Sequence, residues 1–191
     1  ERRGRAVELG RDRRHAPEMR RLFEAINVLR GNLAERESLT QQLRQLAETD
    51  GLTGLLNRRG LQQALDALQV QGIPFAILAL DIDRFKSIND SHGHDVGDAA
   101  IVHIADQMRR YSRDSDILCR AGGEEFLLLL PGISTDSARQ AGERLRQHIA
   151  DHPFEPVGTI TVSLGVAHFP SFHVDAEQAL RLADKALLFL S

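Results

Sequence analysis

An α+β sandwich, with helices on one face of a mainly antiparallel sheet and a long coiled-coil helix ahead of it, is the fold this sequence predicts. Three observations carry that expectation. Residues 73–82 (IPFAILALDI) form a nearly continuous apolar run, the mark of a buried strand. Residues 116–120 and 125–130 are strand-like and flank Ala121-Gly122-Gly123-Glu124, a hairpin signal. Upstream of both, Leu and Ile recur at helical spacing from Leu22 to Leu46.

The elements follow in chain order. Residues 1–16 are Arg-rich and aperiodic and read as the remnant of a preceding module. From Pro17, residues Leu22, Ile26, Leu29 and Leu33 form one helical stripe, and Leu39, Leu43 and Leu46 form another. The two stripes are out of register, so the seam breaks phase near Arg36 and Glu37. The stripe extends far ahead of anything in its own chain that it could cover, so residues 17–49 read as a dimerisation helix. The alternative is a helix folded onto its own domain. Asp50-Gly51 signals its end and opens the main domain, residues 50–191. Within that domain, residues 60–70, 97–111, 134–150 and 176–190 read as helices. Residues 159–167 (TITVSLGVA) read as a strand with β-branched alternation.

Composition narrows the function. The chain has 191 residues, 42% hydrophobic and 27% charged, which suits a packed domain and excludes wholesale disorder. One cysteine, Cys119, excludes an internal disulfide framework and a cysteine zinc cage. No run approaches the roughly 20 apolar residues of a membrane span. The absence of an initiating Met suggests a piece of a longer protein, so membrane attachment is expected only through segments outside it. The net charge of −3 argues against nucleic-acid binding. Residues 1–49 are net positive and the remainder is net negative. An acidic domain that meets phosphates would use metal ions to do so.

The acids cluster in informative places. Asp81-Ile82-Asp83 closes the apolar strand, and a carboxylate there needs a partner. A divalent cation is one candidate; a helix N-cap at Asp83 is the alternative. Gly122-Gly123-Glu124-Glu125-Phe126 places two carboxylates after a tight turn. Since neighbours in a strand point to opposite faces, one of them can join Asp81. Such a constellation can hold two Mg²⁺, which would neutralise a triphosphate and activate a sugar hydroxyl. Between these segments, Asn89 and Asp98 match the donor and acceptor edge of guanine. His92-x-His94 lacks a third zinc ligand at a convincing spacing.

Several motifs resemble GGDEF-domain diguanylate cyclases. They are Asp50-Gly51-Leu52-Thr53-Gly54-Leu55-Leu56-Asn57-Arg58-Arg59, the segment from Asp81 to Asp90, Gly93-His94, Gly97-Asp98, Gly122 to Phe126 in the GGEEF form, and Ser163-Leu164-Gly165-Val166-Ala167. The resemblance spans residues 50 to about 190, in the family's order. It implies a fold like the palm of polymerases and nucleotidyl cyclases. The implied reaction is condensation of two GTP into cyclic di-GMP with release of two pyrophosphates, across a homodimer of bacterial signalling domains. Carried over, Asp81, Glu124 and the carbonyl of Ile82 are ligands of two Mg²⁺ per site, with Mn²⁺ as a substitute. Glu125 assists at the metal or at the attacking hydroxyl. Asn89 and Asp98 read guanine, Phe85 and Lys86 meet the terminal phosphates through backbone amides, and Gly122 and Gly123 admit the α-phosphate.

The resemblance also reaches regulation. Arg113-Asp114-Ser115-Asp116 matches the family's RxxD inhibitory product site, with Arg144 completing it from a neighbouring subunit. Residues 17–33 resemble the end of a HAMP signal-relay helix, which implies a cytoplasmic domain of an inner-membrane receptor. Near the end, Leu188 and Ser191 stand where the family usually has Tyr and a triphosphate-binding Lys. That departure leaves a second expectation open: a weak or inactive module that senses GTP or cyclic di-GMP.

Overall fold

The computed structural model describes residues 16–169 and Arg181. The expected helix over 176–190 and the divergent chain end lie outside the described residues. The chain divides into two units, residues 1–44 and 45–191.

Helix α1 (Ala16–Glu48) is continuous through the break in its apolar stripe. Near that break Thr40 Oγ1 donates to the carbonyl of Arg36 at 2.7 Å, a back-bond of the kind that bends helices. Leu22, Ile26, Leu29 and Leu33 are all exposed, as is every described side chain from Met19 to Gln42. An apolar stripe left in water contributes nothing to stability until something covers it.

The second unit comprises α2 (Arg58–Val70), β1 (Phe75–Ile82), α3 (Phe85–His92), α4 (His94–Tyr111), β2 (Ile117–Gly122), β3 (Glu125–Pro131), α5 (Thr135–Ala150) and β4 (Val162–Phe169). The four strands form one antiparallel sheet in the order β2-β3-β1-β4. β1 is central and apolar on both sides. Ala76, Leu78, Leu80 and Ile82 enter a core with Ile101, Ile104 and Met108 of α4 and Leu145 and Ile149 of α5. Phe75, Ile77 and Ala79 enter a second core with Leu61, Leu65 and Leu68 of α2. Helices therefore cover both faces of the sheet, not one. The unbroken apolar run of β1 reflects this, since a strand with one wet face would alternate.

Boundaries shift for local reasons. Residues 85–92 form a helix of their own, and α4 begins at His94, earlier than periodicity suggests. β4 begins at Val162, after the turn in which Phe154 and Gly158 exchange backbone hydrogen bonds. Asn57 ties the start of α2 to the end of α1. Its side chain caps the amides of Arg59 and Gly60 and donates to the carbonyls of Ala47 and Thr49. Gly60 sits where a Cβ would lie 2.5 Å from the Glu48 carbonyl oxygen and 2.9 Å from Leu56 Cδ2. Gly60→Ala is expected to destabilise the protein by about 1–3 kcal/mol through this backbone clash. A lowered urea midpoint at unchanged m-value measures it.

Candidate active site

The register of β1 decides where its terminal acid points. Asp81 pairs with Glu125 of β3 on one side and Ser163 of β4 on the other. Alternation puts these three residues on the face that α2 covers, so Asp81 and Glu125 are direct cross-strand neighbours. Glu124 lies one residue earlier, in the turn, and is half-buried. Gly122 and Gly123 make that turn with φ of +152° and +51°, backbone that L side chains rarely adopt.

Two arginines brace the hairpin. Arg58, in the first turn of α2, donates from Nε to the Ala121 carbonyl at 2.6 Å, and its Nη2 lies 3.7 Å from Glu125 Oε2. That ion pair is exposed, so its energy is small and its value is in orientation. Arg120 is better buried. Its Nε and Nη2 donate to the Gly123 carbonyl at 3.0 and 2.8 Å, and its Nη1 reaches both carboxylate oxygens of Asp50 at 3.1 and 3.2 Å. Asp50 also accepts from the Thr53 amide at 2.8 Å and from its hydroxyl at 2.7 Å. Burial alone would raise the Asp50 pKa; the Thr53 hydrogen bonds and then Arg120 outweigh it and hold the carboxyl below its usual value. The signature at residue 50 and the glycine turn at 122–123 are thus one polar network, although 70 residues separate Asp50 from Arg120.

Just past the same end of β1, Asp83 does not cap α3; the cap position is Arg84, which makes no side-chain cap bond. Asp83 instead accepts hydrogen bonds from Thr161 Oγ1 and Ser163 Oγ, each at 2.6 Å. A cavity of about 870 Å³ opens here, lined among others by Asp81, Asp83, Arg84, Ser87, His92 and Thr161. Asn89 of α3 is packed against Gly97 of α4. A Cβ on Gly97 would fall 1.9 Å from Asn89 Oδ1, which is buried with no hydrogen-bond partner. Asp98 is exposed on the adjacent residue of α4, and Lys86 is exposed on α3.

Arg113, Asp116 and Arg144 come together in a second cleft of about 260 Å³. The Arg113 amide donates to Asp116 Oδ2 at 2.9 Å, and Arg144 Nε donates to the Tyr111 hydroxyl at 2.9 Å. Arg144 of the same chain also lines this cleft. The Tyr111 ring also lies 5.3 Å from His148, whose pKa burial and then His152 lower.

Among the described residues no three Asp, Glu, His or Cys side chains form a ready metal cage. The donors at the end of β1 are carboxylate oxygens. Mg²⁺ is typically held by one or two carboxylates together with substrate phosphates and water, so the donor set suits that ion. The motifs contain Asp50, Arg58 and Asp83 without indicating these contacts, and Arg120 lies outside them. The hydroxyls at Thr161 and Ser163, two apart on a strand and so on one face, were the available signal for the clamp.

The fold and site define an α+β domain with a polar, acidic centre at one end of its central strand. A family model described as the diguanylate cyclase GGDEF domain matches residues 47–189, and the chain belongs to this family. It is 39% identical over 174 residues to diguanylate cyclase DgcP of Pseudomonas aeruginosa, covering 87% of this chain and 26% of that protein. It is 37% identical over 161 residues to the response regulator PleD of Caulobacter vibrioides, covering 80% and 35%. Against an uncharacterised Bacillus subtilis protein, YhcK, the identity is 34% over 190 residues, covering 91% and 53%. The chain thus spans from about a quarter to about half of these curated relatives.

Solved structures agree in fold. Diguanylate cyclase SiaD of Pseudomonas aeruginosa, in complex with its activator SiaC, superposes with a TM-score of 0.75 at 33% identity, covering 93% of this chain and 70% of that one. The coiled coil and GGDEF domain of DgcB from Caulobacter crescentus, in complex with c-di-GMP, gives 0.73 at 27% identity, covering 87% and 92%. No helix among the described residues is long and apolar enough to cross a membrane.

Removing Arg120 strips two donors from the Gly123 carbonyl and leaves Asp50 without its cation. Arg120→Ala is expected to cost about 2 kcal/mol and to speed hydrogen exchange at the amides of residues 122–125. Thermal melts and exchange mass spectrometry read the two effects separately.

Proposed function

We propose that this chain is a diguanylate cyclase that condenses two GTP into cyclic di-GMP and two pyrophosphates. The observation that carries the reading is the register that sets Asp81 beside Glu125, with Glu124 in the adjoining glycine turn. Membership of the GGDEF family and relatives named as diguanylate cyclases support it.

In the proposed site Asp81, Glu124 and the Ile82 carbonyl hold Mg²⁺, with Mn²⁺ as a substitute. Bound there, the ion supplies charge neutralisation for the triphosphate and acidifies the attacking hydroxyl. In this reading Glu125 takes the proton of that 3′-hydroxyl, with Arg58 beside it to orient the carboxylate. The hydroxyl oxygen bonds to the α-phosphorus of the other GTP as the bond to the β-phosphate breaks, and pyrophosphate leaves. The reciprocal attack closes the ring.

Asn89 and Asp98 read the base. Asn89 Oδ1 is buried without a hydrogen-bond partner, and turning the amide toward the base would give it a guanine N–H donor. Gly97 leaves room for that amide to sit flush against α4. Phe85 and Lys86 offer backbone amides at the start of α3, where the helix dipole favours phosphate. The glycines of the turn leave the α-phosphate unobstructed.

Each chain holds one GTP, so turnover needs a second copy. The exposed stripe Leu22, Ile26, Leu29 and Leu33 of α1 is the proposed homodimer seam. The Arg113, Asp116 and Arg144 cleft is the proposed inhibitory product site, where two guanidinium groups meet phosphates or guanine and Asp116 accepts from the base. The same cleft favours a second reading, a module that binds cyclic di-GMP without making it.

Purified protein with GTP and Mg²⁺, its nucleotide products separated by chromatography, tests the reaction. Asp81→Ala is expected to lower cyclic di-GMP formation by more than about a hundredfold, beyond the loss expected for a group that merely supports a metal ligand. An unaltered rate would remove Asp81 from the site. Arg113→Ala is expected to raise the inhibitory concentration of cyclic di-GMP by at least about tenfold, the loss of one or more charge-assisted hydrogen bonds. Calorimetry that shows cyclic di-GMP binding by a chain forming no product would favour the sensor.

A further inference from the structure

The strand that carries Asp81 ends in a conformation that needs to be held. Among the described residues, Arg84 is the non-glycine residue with positive φ, +56°, and it makes no side-chain cap bond at the start of α3. Left-handed backbone at a side chain with a Cβ is unfavourable by about 1–2 kcal/mol, so something nearby must over-determine it. Asp83 is the neighbouring residue that does so. Its amide donates to the Thr161 carbonyl at 3.0 Å, and its two carboxylate oxygens each take a 2.6 Å hydrogen bond, one from Thr161 and one from Ser163. Ser163 is also the β4 residue paired with Asp81.

We infer that Asp83 is a positioning residue for the metal-bearing end of β1. It clamps that end to Thr161, just ahead of β4, and to Ser163 of β4, and so fixes the Asp81 carboxylate and the Ile82 carbonyl. This rests on the reading of Asp81 and Ile82 as cation ligands. Asp83 has both oxygens engaged by hydroxyl donors, Thr161 just ahead of β4 and Ser163 within it. Two acids two residues apart thus close β1, Asp83 just past it holding the backbone and Asp81 paired across from Glu125. Groups behind metal ligands typically govern metal affinity and activity by about 10–100-fold.

The test compares wild type with Asp83→Ala, Asp83→Asn and the near-isosteric pair Thr161→Val with Ser163→Ala. Mn²⁺ binding is followed by electron paramagnetic resonance with a non-hydrolysable GTP analogue present, and turnover is followed against Mg²⁺ and against GTP. Asp83→Ala and the hydroxyl pair are each expected to weaken Mn²⁺ binding by about tenfold, with the matching rise in Mg²⁺ half-saturation. The KM for GTP at saturating Mg²⁺ should change less than about twofold, because Asn89 and Asp98 are untouched. Asp83→Asn keeps an oxygen acceptor and an amide that a hydroxyl can accept from, so it should recover most of the binding. Combining Asp83→Ala with the hydroxyl pair should add no further loss, since both remove one clamp.

Two outcomes overturn the inference. If the hydroxyl pair leaves Mn²⁺ binding unchanged while Asp83→Ala abolishes it, Asp83 is itself a ligand. If the variants melt at lower temperature with wild-type Mn²⁺ affinity, the clamp is a matter of stability alone. A wild type that binds Mn²⁺ with the analogue but makes no cyclic di-GMP refutes the cyclase reading and leaves this comparison fully readable.

Discussion

The pairing of β1 between β3 and β4 is the constraint on which the rest of the structure depends. Side chains on a strand alternate with a period of two, so a slip of one residue would send Asp81 to the opposite face. It would also exchange the two apolar sets of β1, which fill separate cores. The packing that stabilises the domain therefore also sets the acid opposite Glu125. Each of those cores is built from fully buried large side chains, among them Leu65, Ile77, Leu78 and Met108. Burying such a residue contributes about 1.5–3 kcal/mol, which makes a slipped register far less stable.

Polar ties complete what the apolar packing leaves undetermined. Apolar burial has no direction, so it cannot hold a glycine turn or a strand end in one conformation. Arg120 supplies direction at the turn, and its partly buried pairing with Asp50 is worth more than the exposed Arg58–Glu125 contact. The Asp83 hydrogen bonds supply it where β1 gives way to α3. Both ties connect residues distant in sequence, 70 and about 80 apart, so they form only once the sheet has assembled.

The proposed chemistry and the proposed regulation draw on different parts of the same unit. The acids at the end of β1 line the 870 Å³ cavity together with Ser87, Ser91 and His92 of α3. The arginine cleft lies where α4 ends, bounded by β3 and α5. α4 contributes to both, with Gly97 near its start and Tyr111 at its end. A reaction that needs two copies gives control to whatever brings the copies together, and the exposed stripe of α1 is suited to that work.

Much of this was legible in the residues. The apolar run of β1, the hairpin around Gly122-Gly123 and the helical stripe of α1 follow from local periodicity and turn chemistry, which need no knowledge of distant partners. The motif order named the family for the same reason, since each motif is contiguous. The placement of helices on both faces of the sheet was decided by tertiary structure, because an apolar run shows that a strand is buried without showing by what. So were the partners of Asp83, the pairing of Asp50 with Arg120, and the joining of the end of α1 to α2 by Asn57. Each joins segments that local periodicity reads separately. Spacing along a chain specifies which way a side chain points within its element, and only the packing of elements specifies what it meets.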